Sequence, residues 1–225
     1  MSDAELTPLT LVQGELVNDY PPMAPEVMKG EPLRITEHGE QILHKPCETV
    51  TDVGALRWAK LINDMFTTMW VAHGCGLAAN QVDVDARLFV YDVTDEQGNR
   101  HVGHVFNPTI EVTDKTPLDE DLEGCLSLPG ANQPLSRPSG VRLTGMTRTG
   151  QPLTLNATGY LARCFQHETD HVNGGIYVDL LNKRSRRRAI AESARVREET
   201  LADRAEASLQ LGKTPAVYPE SAPSV

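Results

Sequence analysis

The chain has 225 residues, 40% of them hydrophobic and 23% charged, a balance that fits a globular domain with a real core and excludes a disordered, collagenous or repeat sequence. Its net charge of −10 argues against a surface built to grip DNA. No run approaches the ~20 apolar residues of a membrane helix, and the first residues lack a basic, apolar leader, so a cytoplasmic protein without membrane attachment is expected.

In chain order, residues 1–32 carry Pro8, Pro21, Pro22, Pro25 and Pro32, too many for a helix interior or a central strand, and read as an extension that drapes over the domain or moves freely. Apolar residues at helical spacing from Leu56 to Ala72 predict a first helix, capped by Asp52 and stopped at Gly74. Short strands follow over 87–93, 102–106, 109–112, 122–128, 141–148 and 151–156, with Thr149-Gly150 as a hairpin turn. A second helix runs from Tyr160 to about Val172 and closes at Asn173-Gly174-Gly175. A third spans Lys183 to Leu211, and Pro215, Pro219 and Pro223 mark a frayed tail. Strands grouped before helices predict an α+β domain, with antiparallel strands around a buried helix and a C-terminal helix.

The sharpest chemical signal is His167-Glu168-Thr169-Asp170-His171 in the second helix. Residues four apart share a helix face, so both imidazoles can reach one metal ion, with Glu168 beside a water that the ion would activate. A third ligand must come from elsewhere. The metzincin position holds Tyr177, and Glu192 lies on a charged, solvated helix. Cys164 lies about 10 Å along the axis from His171, too far for a short side chain, and reads as core. Cys47 reads as a buried thiol, which leaves Cys75 and Cys125, each beside glycine. All four cysteines are expected to be reduced. Gly74-Cys75-Gly76-Leu77-Ala78-Ala79 satisfies a dinucleotide-loop pattern but follows a helix instead of a strand, which argues against nucleotide binding. At this level a cytosolic HExxH zinc peptidase is the alternative enzyme.

Three segments in order resemble the peptide deformylases: Gly74 to Gln81, Glu123-Gly124-Cys125-Leu126-Ser127, and Gln166 to His171 with Gly174. The resemblance runs from about Leu33 to Leu181. It implies that Cys125, His167 and His171 bind a divalent metal, commonly Fe2+, although a Cys/His/His set also suits Zn2+, Ni2+ and Co2+. It implies hydrolysis of the N-formyl group of formylmethionyl peptides, with Glu168 moving the proton and the Gln81 amide and Leu126 N–H meeting the oxygen that becomes negative. Gly74, Cys75, Gly76 and Leu77 are then expected against the substrate, as are Glu123, Gly124 and Cys164. Asp170, Gln166 and Arg137 are expected behind the ligands. Cys75 and Asn80 depart from the commonest family residues, and Gly130-Ala131-Asn132 lacks an arginine that some relatives use to hold the peptide.

The resulting organisation is an extension over 1–32, a catalytic domain over 33–182, a basic helix over 183–211 and a flexible tail over 212–225. The helix carries Lys183, Arg184, Arg186, Arg187, Arg188, Arg195, Arg197 and Arg204. Its arginines either pair with Glu192, Glu198, Glu199 and Asp203 or, as some bacterial deformylases imply, dock on ribosomal phosphates. On the second reading, a chain ending before Arg184 should keep small-peptide hydrolysis and lose ribosome binding.

Overall fold

The computed structural model describes residues 8–113 and 117–223. The expectations for 1–7 and 224–225 lie outside them. The first predicted helix, α2 (Leu56–Val71), follows a short α1 (Pro25–Lys29) that the sequence reading did not include. Pro25 opens α1 at its first turn, where a missing N–H costs nothing. Asp52 does not cap α2. Ala55 holds that position, and Asp52 instead accepts from Arg57 and from the Trp58 indole at 3.0–3.2 Å. Gly74 does not close α2 either: His73 takes the left-handed conformation (φ 55°), and the N–H of Gly74 reaches back to Met69 O.

The strands are β1 (Thr10–Val12), β2 (Glu15–Leu16), β3 (Gly76–Ala78), β4 (Leu88–Thr94), β5 (Arg100–Val112), β6 (Leu118–Cys125), β7 (Leu128–Pro138), β8 (Gly140–Met146) and β9 (Pro152–Thr158). Seven form one sheet, with β3, β4, β5, β8 and β9 successively antiparallel, and β6 and β7 pair as a separate two-stranded sheet. Among the described residues the one parallel pair is β1 with Arg100–Val102, made by the extension, which therefore adds a β1–β2 hairpin to the sheet. The two runs predicted at 102–106 and 109–112 are a single β5. Its register shifts between Phe106 and Thr109, where Asn107 has φ 49° and Pro108 has no N–H to give. The run predicted at 122–128 is broken at Leu126-Ser127 into two strands.

Residues of β4 alternate between two cores. Leu88 and Val90 join α2, while Phe89, Tyr91 and Val93 meet α3 (Gly159–Val172). The sheet is therefore sandwiched between α2 and α3, and a strand buried on both faces reads as a continuous apolar run. The Tyr91 and Phe165 rings meet edge-on at 5.1 Å, and each large side chain buried here contributes roughly 1.5–3 kcal/mol.

The far side of α3 is covered by the β6–β7 hairpin, and α4 (Lys183–Gln210) packs on β7. Asn182 caps α4 by accepting from the backbone of Arg184 and Ser185. The segment beyond it, expected to fray, folds back. The Tyr218 hydroxyl accepts from Ile35 N, Pro219 O accepts from Arg197, and Lys213 donates to Met28 O.

Candidate active site

The central helix α3 buries Arg163, Gln166, His167, Glu168, Thr169 and His171. Such groups are costly in an interior unless partnered, so their partners define the site. His167 and His171, one turn apart, bring their Nε2 atoms to 3.2 Å, and Cys125 Sγ lies 3.2 Å from His171 Nε2. Two ligands sharing a tetrahedral ion stand about 3.3–3.5 Å apart. All three donor atoms fall within 4.8 Å of one another, so this trio could hold a metal ion.

Behind the trio, Glu123 Oε1 lies 2.8 Å from His167 Nδ1, which turns Nε2 toward the other donors. Arg137 donates to both Glu123 oxygens, and Arg163 adds a third bond at 3.0 Å. Burial alone would push the Glu123 carboxyl up. The bonds and charges of Arg137 and His167 outweigh it and hold the group well below the usual carboxylate range. Arg137 also donates to Asp170 at 2.7 Å.

Glu168 is 3% exposed, and its Oε2 has no hydrogen-bond partner. Burial pushes its carboxyl well above the usual range, a setting that suits a proton carrier at neutral pH. Gly76 leaves room for it, because a Cβ there would stand 2.4 Å from Glu168 Oε1. Gln81 Oε1 accepts from Ala78 N at 2.8 Å. This fixes the amide so that Nε2 points to Cys125 Sγ (3.6 Å) and Ser127 Oγ (3.2 Å). At Gly124 a Cβ would meet Asn132 Oδ1 at 2.2 Å, the end of an exposed side chain that can turn aside, so glycine is less strictly required there than at Gly76.

These groups open onto a cavity of about 240 Å³ lined by Gly74, Cys75, Gly76, Gln81, Glu123 to Leu126, Cys164, His167 and Glu168. Leu77, expected against the substrate, is not in its wall. It is fully buried in the α2 core, because its neighbours in β3 take the other face. Gln166 hydrogen-bonds none of the three donors; its amide donates to Pro138 O and Ala162 O. Asn80 faces away from the cavity and donates to His171 O at 2.7 Å, which fastens the end of α3. Sequence reasoning missed Arg163, Tyr160 and Ser127. Arg163 shares α3's buried face with His167 at a spacing of four, a signal that was available, whereas Tyr160, at a spacing of seven, is exposed at the cavity wall.

A family model described as polypeptide deformylase matches residues 32–187. The chain belongs to the polypeptide deformylase family. Peptide deformylase 1 of Streptomyces avermitilis is 47% identical over 168 residues, covering 74% of this chain and 77% of that protein. The peptide deformylase of Mycolicibacterium smegmatis is 44% identical, covering 70% and 84%. The crystal structure of a peptide deformylase from Legionella pneumophila superposes with a TM-score of 0.67 at 34% identity, covering 75% of this chain and 96% of that one. This deformylase is a metal-dependent hydrolase that removes N-formyl groups from new peptides. It has no helix long and apolar enough to cross a membrane among the described residues.

Proposed function

We propose that Cys125, His167 and His171 hold Fe2+, that Glu168 carries the proton, and that the Gln81 amide and Leu126 N–H receive the developing negative oxygen. The observation that carries this reading is the convergence of three donor atoms within 4.8 Å beside a buried carboxylate with a free oxygen. A divalent cation on those donors would acidify water and polarise the formyl carbonyl. Glu168 takes a proton from water as the formyl carbon is attacked and returns it to the departing amine, so that formate and a free N-terminus leave. The Gln81 amide is held by Ala78 N and needs no reorganisation when charge appears, which is the condition for large electrostatic stabilisation. Glu123 keeps His167 oriented, Arg137 and His167 keep Glu123 ionised, and Arg163 donates a further bond to it. Cys75 and Cys164 line the space open to the substrate's side chain.

The reading is tested by formate release from formyl-Met-Ala together with metal analysis. Glu168→Ala should retain metal and lose activity by roughly 10²–10⁴-fold. Cys125→Ala should lose tight binding, and iron should be the metal recovered under anaerobic purification. Normal turnover by Glu168→Ala with full metal would remove it from the mechanism.

The catalytic unit takes in 33–182 and the inner face of α4, whose outer face docks on the ribosome. Arg197 and Arg204 are buried, Arg186 pairs with Asp179, and Arg195 pairs with Glu192. The docking patch is therefore Lys183, Arg184, Arg187 and Arg188, which are exposed and have no salt bridge among the described residues. Phosphate contacts make such docking salt-sensitive. Replacing these four by glutamate should abolish co-sedimentation with ribosomes at low salt and leave formyl-Met-Ala hydrolysis intact.

A further inference from the structure

Two thiols stand in the cavity wall with no part in the hydrolysis. Cys75 precedes β3, and Cys164 lies on α3 one turn before His167. Cys164 Sγ reaches the backbone of Cys75, 3.8 Å from its carbonyl oxygen, and both side chains line the same cavity. Cys75 Sγ is also 3.3 Å from the hydroxyl of Tyr160, four residues before Cys164 on the same helix face. Cys75 is half-buried and open to the cavity, whereas Cys164 is 4% exposed behind it. A reachable thiol with a second, buried thiol against its own backbone is the arrangement of an attacking and a resolving cysteine.

We propose that Cys75 and Cys164 form a reversible oxidation site for hydroperoxides, closing to a disulfide across the wall of the catalytic cavity. The Cys75 thiolate attacks the outer oxygen of the hydroperoxide, and the O–O bond breaks. Cys75 becomes a sulfenic acid, and the other oxygen leaves as an alcohol, or as water from hydrogen peroxide, after taking a proton. The Cys164 thiol then displaces the sulfenic hydroxyl. An S–S bond forms, and the Cys164 proton departs with the hydroxyl as water. The adjoining Cys164 thiol, opposed by burial and reinforced by the Tyr160 hydroxyl, lowers the Cys75 thiol to about 6, while the adjoining Cys75 and burial push Cys164 well up. One sulfur is thus suited to attack and the other to bring the proton. Cys47 differs: it sits in an apolar cluster, and burial pushes it up to about 11. A bond from the start of β3 to α3 narrows the cavity, so turnover stops until a dithiol reduces it.

The loss of turnover rests on this cavity being the substrate site; the linkage does not, so the two are read separately. The full-length protein, loaded with nickel so that no iron chemistry competes, is exposed to hydrogen peroxide under native conditions, alkylated and mapped by mass spectrometry. The expected product is a Cys75–Cys164 linked peptide pair with Cys47 still alkylated. Turnover should fall in proportion to the linked fraction and return with dithiothreitol. Cys164→Ser should leave Cys75 as a sulfenic acid trapped by dimedone, and Cys75→Ser should leave neither product. A Cys75–Cys125 link, or both thiols still free at a dose that oxidises Cys125, would overturn the assignment, as would Cys164→Ser without a dimedone adduct on Cys75. If the link forms and turnover is unchanged, the oxidation site stands but its closing of the substrate cavity is refuted.

Discussion

Replacing Arg197 by methionine tests how firmly α4 is built into the catalytic unit. Arg197 donates to both oxygens of Glu37 at 2.7 Å, and Glu37 is 3% exposed. Removing the guanidinium strands a buried carboxylate and also frees Pro219 O. Breaking one side of such a pair costs about 3–5 kcal/mol, and at roughly 2–4 °C per kcal/mol for a protein of this size the melting temperature should fall by roughly 6–20 °C. The companion change Glu37→Leu removes the stranded charge, so the double variant should recover most of the loss. Thermal unfolding of the four proteins at pH 7, followed by circular dichroism with metal content measured in parallel, checks the cycle. A loss below about 1 kcal/mol for Arg197→Met, the scale of an exposed pair, would refute the claim that this contact is buried and structural.

Further outcomes follow from the same geometry. Gly76→Ala should drive a methyl into Glu168 Oε1 and depress turnover by at least the roughly 10² expected for a misplaced catalytic group, read as kcat at full metal occupancy. A chain ending at Asn182 should lose activity and solubility. It forfeits the Arg204 bond to Leu126 O, the Arg197 pair and the Tyr218 bond to Ile35 N, which reverses the expectation that such a truncation keeps hydrolysis. Because the folded Glu123 carboxyl is held low, it contributes stability that is full above the ordinary carboxylate pKa and is lost as pH falls toward its depressed value. Urea unfolding from pH 7 to 3 should therefore steepen for the native chain relative to Glu123→Gln.

α2 and α3 were legible because their apolar residues recur at helical spacing, and Asn173 and Asn182 mark the end of α3 and the start of α4. The convergence of Cys125, His167 and His171 was legible because short motifs carry those residues. What escaped has physical causes. The strand over 118–121 is exposed on both faces, so Leu118-Asp119-Glu120-Asp121 shows no alternation. The extension's hairpin is held by backbone pairing to Arg100–Val102, which leaves no side-chain signature. The inward turn of Arg197 and Arg204 was hidden because their partners, Glu37 and Leu126 O, are distant in sequence. Helical spacing pointed instead to neighbours on α4 itself.

The fastening of the Leu126 turn by α4 also sets an order of events during synthesis. His38 N holds Ser127 O, Arg204 holds Leu126 O, and Tyr218 reaches Arg204 and Ile35 N. The turn that follows Cys125 is thus gripped by residues translated some 80 to 90 positions later. A nascent chain that has emerged only as far as His171 carries every donor atom of the trio, yet lacks the clamp that aligns them. Maturation of this deformylase is therefore a late, post-emergence step, and a prematurely ended chain would be born without a working centre.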